Sequence, residues 1–81
     1  MIDEKEKKFR DIFAANLREQ RKAKGISQKQ LGLLCGFNEK SAENTIQNWE
    51  YKSYTPSAYN IRLLADALKC KPDDLIPKMP K

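Results

Sequence analysis

Gly25-Ile26-Ser27-Gln28-Lys29-Gln30-Leu31-Gly32-Leu33-Leu34-Cys35-Gly36 reads as one short helix set between two glycines. Ser27 is a good N-cap, and Gln30 three residues later completes a capping box, so the spacing predicts a helix over 28–35. Leu31, Leu34 and Cys35 are expected on its buried face. Gly36 closes it, and a polar connector follows from Asn38 to Lys40. Either Asn38 or Ser41 then caps a third helix that runs to about Lys52, with Ile46 and Trp49 turned inward. Two short helices joined by a glycine-containing connector make a helix-turn-helix over about 27–52.

The same periodicity extends outward on both sides. Before Gly25, apolar Phe9, Ile12, Phe13 and Leu17 recur at three- and four-residue steps, which predicts a first helix from Asp3 or Glu4 to about Lys24. Asp3, Glu4 and Glu6 suit the positive end of its dipole, and Lys22 and Lys24 the negative end. Gly25 ends it by accepting a left-handed backbone. After a loop at Ser53–Thr55, Thr55 is expected to cap a fourth helix with Pro56 at its first position. Ile61, Leu64, Ala65 and Leu68 form its stripe, and Pro72 opens a single-turn fifth helix ending at Ile76. No sustained alternation suggests a strand. The expected class is therefore all-α, a compact bundle of five helices in one domain over 1–76, with a short tail at 77–81.

Composition narrows the chemistry. The 81 residues carry 16 Lys and Arg against 11 Asp and Glu, a net charge of +5. That favours an anionic partner, nucleic acid ahead of a membrane surface. There is no histidine, which removes the commonest general base and metal ligand. Cys35 and Cys70 stand alone in apolar stretches, too few for a structural zinc site that takes about four ligands, and read as small buried hydrophobes. No catalytic group, metal site or cofactor is expected. No apolar run reaches the ~20 residues of a membrane span, so the chain is expected to be cytoplasmic.

Polar residues dominate the outward side of the third helix: Glu43, Asn44, Gln47 and Asn48, with Lys52 a turn later. Asn and Gln pair bidentately with adenine in the major groove, and a carboxylate accepts from a cytosine amino group. Gln28, at the start of the second helix, is placed to donate to a phosphate beside the free N–H groups there. Lys40, Lys52, Ser53 and Tyr54 flank the third helix as backbone clamps. The Lys5, Lys7, Lys8 and Arg10 cluster is interleaved with acids and reads as a solvated helix face.

The ordered motifs resemble the phage-repressor and Cro family of helix-turn-helix domains, also called the XRE family. They are Leu17-Arg18, Arg21-Lys22, Lys24-Gly25-Ile26-Ser27-Gln28, Leu31, Ile46-Gln47-Asn48-Trp49-Glu50, Pro56, Leu64-Ala65, Ala67-Leu68 and Leu75. The likeness spans about residues 9–76 and implies a lambda-repressor-like fold. It places base reading on Glu43, Asn44 and Asn48, and phosphate contact on Gln28; Ser27, a cap before it is a contact, and Ser41 are further candidates for the DNA backbone. Arg21 and Glu50 match a buried ion pair of the family, which makes Arg21 structural. Three features depart from the pattern. The connector between Gly36 and Ile46 is about four residues longer, which brings Lys40, Ser41 and Ala42 near the groove. Gly32 takes a position usually held by alanine, at about 1 kcal/mol of helix propensity. Lys52 stands where a glycine is common.

Together these readings point to a sequence-specific binder of double-stranded DNA, a transcriptional repressor acting as a homodimer on a palindromic operator. Ile76 with Met79, or Phe9 with Ile12, are candidates for the dimer surface. A second reading stays open: a protein-interaction module, such as an antitoxin or a regulator that binds a partner protein.

Overall fold

In the computed structural model, which describes residues 4–51 and 56–76, the chain folds into five helices. They are α1 (Glu4–Ala23), α2 (Gln28–Leu34), α3 (Ala42–Tyr51), α4 (Ala58–Leu68) and α5 (Pro72–Leu75). No strand occurs among the described residues. The expected positions Asp3, Lys52, Ser53, Tyr54, Thr55 and Met79, and the tail at 77–81, lie outside the described residues.

Local signals set most of the boundaries. Gly25 (φ +68°) ends α1, and its N–H donates back to the Lys22 carbonyl at 3.0 Å. Ser27 Oγ accepts from the Gln30 N–H at 3.0 Å while Gln30 Oε1 accepts from the Ser27 N–H at 2.8 Å, the reciprocal pair of a capping box. Gly36 (φ +92°) follows α2. Pro72 heads α5, and Asp74 Oδ2 accepts from the Lys71 N–H at 3.0 Å.

The start of α4 corrects the sequence reading. Ser57, not Thr55, is the cap, with its Oγ accepting from the Asn60 N–H at 3.3 Å. Pro56 sits two residues before the helix and is buried, so its ring fills space instead of opening a turn.

Phe13, Leu17, Leu31, Ile46, Leu64, Leu68 and Leu75 form the centre of the core, each with almost no exposed surface. α2 and α3 pack on one another most extensively, and α1 lies against both α3 and α5. Asn16 Nδ2 donates to the Leu75 carbonyl at 3.1 Å, which ties the middle of α1 to the last residue of α5. The apolar faces differ from expectation at two places. Ile12 is 41% exposed because the buried face of α1 is centred on Phe13, Ala14 and Leu17. Leu34 is 61% exposed, and here the cause is Gly32.

A Cβ on Gly32 would lie 2.5 Å from the Ala42 carbonyl oxygen and 2.7 Å from its Cα. The backbone of α2 therefore touches the first turn of α3 directly. That contact turns the face of α2 toward Leu31, Gly32 and Cys35, and it swings Leu33 and Leu34 outward. Gly32 is thus a packing requirement, where the sequence alone offered only a propensity penalty. Cys35 is buried as expected, whereas Cys70 is half-buried.

Candidate nucleic-acid interface

The longer connector is a built structure. Asn38 Oδ1 accepts from the Ser41 N–H and from Ser41 Oγ, both at 3.1 Å. The Asn38 carbonyl accepts from the Ala42 N–H at 2.9 Å, the bond of an ordinary helical turn. Of the two residues left open as caps, Asn38 takes the role, and Ser41 spends its hydroxyl on it. The added residues form a leading turn that feeds straight into α3. Lys40 is exposed on that turn. Its neighbour Glu39 pairs with Lys29 at 3.3 Å, but both partners are solvated and the pair contributes little.

From that turn, α3 buries Ala42, Ile46, Trp49 and Glu50. Trp49 is core: Phe37 meets it edge-on with ring centroids 5.7 Å apart. The opposite side presents Asn44 and Gln47 to solvent, with Glu43 exposed on one flank and Asn48 half-buried on the other. The four side chains expected to read bases are therefore gathered along one helix, on the side turned from the core.

Glu50 is 1% exposed, so its charge needs partners inside the protein. Arg21 supplies a two-pronged contact, Nε to Oε2 at 2.7 Å and Nη2 to Oε1 at 3.1 Å. The third guanidinium nitrogen, Nη1, donates to the Ile26 carbonyl at 2.9 Å. The hydrogen bond to Glu50 raises the Arg21 pKa, opposed by burial and assisted by the carboxylate charge. Gln28 Nε2 adds a donor to Glu50 Oε1 at 3.3 Å. The family-implied ion pair is thus present, and Gln28 is joined to it. Ser27 meanwhile acts as the α2 cap.

Sequence reasoning missed Arg18 and Tyr51. Arg18 Nη1 donates to the backbone carbonyl of Glu50 at 2.5 Å, and its guanidinium lies 5.0 Å from the centre of the Tyr51 ring. Arg18 precedes Arg21 by three residues on α1, so the two share a helix face and grip the end of α3 together. That spacing was the available signal.

Among the described residues, no group of three His, Cys, Asp or Glu is placed to hold a metal ion. Burial pushes the Cys35 thiol up to about 11, away from the reactive thiolate.

Comparison with known proteins agrees with this fold. The helix-turn-helix family profile matches residues 17–75. The restriction-modification controller protein C.AhdI from Aeromonas hydrophila is 34% identical in sequence, with a TM-score of 0.73 over 83% of this chain and 96% of that one. The P22 c2 repressor protein, solved in complex with a synthetic operator, is 31% identical with a TM-score of 0.70, over 80% of this chain and 92% of that one. No curated protein matches by sequence.

Proposed function

The chain belongs to the helix-turn-helix family, and from that premise we propose that it is a DNA-binding transcriptional regulator of the repressor type that reads the major groove with α3. One observation carries the reading: a helix with a polar outer side is held from behind by a buried ion pair. Asn44, Gln47 and Asn48 supply amides for adenine edges, and Glu43 an acceptor for a cytosine amino group. Gln28 keeps a second amide hydrogen beside the N-terminal N–H groups of α2, which suits a phosphate. Lys40 adds a cation ahead of the recognition helix, Ser27 and Ser41 are further backbone contacts, and Lys52 and Ser53, which follow α3 in sequence, complete the set.

The protein acts as a homodimer on a palindromic operator. One short recognition helix makes few base contacts, and a two-fold pair spaced by about 34–36 Å doubles them. For operator binding as such, the P22 c2 repressor in complex with a synthetic operator is a precedent in the same fold. The protein functions by binding, with no reaction or cofactor, in the cytoplasm where it meets DNA. Among the described residues no helix is long and apolar enough to cross a membrane. The alternative of a module that binds a protein instead of DNA is not favoured.

The test is selection of randomised duplexes on purified protein, followed by anisotropy titrations and sedimentation of the complex. An enriched inverted repeat bound by two chains is the expected result. Weak binding that ignores sequence overturns the reading.

A further inference from the structure

We infer that Tyr51 is a DNA-backbone contact and that Arg18 is the residue that positions it; the inference rests on the DNA-binding reading above. Three observations meet at this corner. Tyr51 follows Asn44 by seven residues, about two helical turns, so it continues the outward line of Asn44 and Gln47. Its side chain is 58% exposed, and its hydroxyl has no partner among the described residues. A large aromatic left that open on the outward line of a recognition helix, next to a cation, is suited to contact.

The charge at this corner is positive. Arg21 is matched by the Glu50 carboxylate, whereas Arg18 bonds only the neutral Glu50 carbonyl and has no ion pair among the described residues. Arg18 also meets the negative, C-terminal end of α3, where unsatisfied carbonyls gather. Its guanidinium is therefore fixed in place by the helix end and lies against the Tyr51 ring. The stacked cation restricts the ring and so holds the phenol in one direction.

The acceptor is a phosphate oxygen. Base edges are read mainly by the N-terminal part of a recognition helix, and its other end rises toward the backbone. A lone phenol lacks the paired donor and acceptor of an amide, so it carries little base information. Tyr51 therefore adds affinity and registers the helix along the groove without choosing sequence.

The experiment is a titration of the parent, Tyr51→Phe, Arg18→Ala and the double variant against the selected duplex and a scrambled one, across a salt series. Tyr51→Phe removes one exposed hydroxyl and is expected to leave the melting temperature unchanged. It should weaken both duplexes by about tenfold or more, the size of a hydrogen bond to a charged group. The salt slope should stay the same, because no charge is lost. Arg18→Ala should weaken binding, and adding it to Tyr51→Phe should cost much less than the product of the two losses. Unchanged affinity of Tyr51→Phe overturns the contact, and multiplicative losses overturn the positioning role. If the parent itself shows no preference between the two duplexes, it is the DNA-reading premise that fails, a different result from either of these.

Discussion

Arg21 and Glu50 stand 29 residues apart and meet through two hydrogen bonds, in a place where the carboxylate is sealed from water. The pair joins α1 to the far end of α3. Because Gln28 reaches the same carboxylate, one buried acid links all three helices of the reading head.

Removing either partner is therefore expected to be costly. Arg21→Ala or Glu50→Ala should each lower unfolding stability by about 3–5 kcal/mol, since each strands a buried group. A joint replacement by apolar residues should recover much of the loss. Urea unfolding of the four proteins checks this; losses below 1 kcal/mol for both single variants would mean that the pair is solvated.

Gly32→Ala separates two physical effects of opposite sign. Helix propensity alone predicts that alanine stabilises α2 by about 1 kcal/mol. The contact with the Ala42 backbone predicts the reverse, a loss of about 1–3 kcal/mol from overpacking. A thermal melt decides between them by the sign of the change.

Asn44→Ala and Asn48→Ala test base reading at two depths on the helix. Each should reduce preference for the selected site over scrambled DNA by about 1–3 kcal/mol, with little effect on non-specific binding. Competition titrations at fixed salt measure this. Equal weakening on both duplexes would instead assign these amides to the backbone.

Burial of the Cys35 thiol has a pH signature. Its pKa is pushed from 9.0 to about 11 in the folded state, so the unfolded chain releases the proton first. Stability from this group is complete below about pH 9 and is lost as pH rises from there toward 11. Denaturant midpoints over that range should fall more steeply for the parent than for Cys35→Ala. Parallel curves would show that the thiol ionises freely in the folded protein.

The number and order of the helices were legible in the chain because their causes are local. Ser27 and Gln30 cap within one turn, Gly25 and Gly36 supply left-handed backbone where each helix stops, and Pro72 opens α5. The polar outer side of α3 was legible for the same reason, since Ile46 and Trp49 reveal the inner side by spacing alone. The Arg21–Glu50 pair was anticipated through family resemblance, not from the residues.

Other features depend on where separate helices come to rest. Gly32 owes its role to a residue ten positions later, Gln28 to one 22 away and Arg18 to one 32 away. No periodicity within a helix encodes those distances. The exposure of Leu34 and Ile12 has the same origin: spacing marks an apolar stripe, but the neighbour that packs against it decides where the stripe is centred. By itself, then, the sequence determined which segments are helical and which side of α3 is polar, through hydrogen bonds and steps a few residues long. Tertiary packing decided how the recognition helix is held and which aromatic stands at its exposed end, because those contacts exist only once α1, α2 and α3 have met.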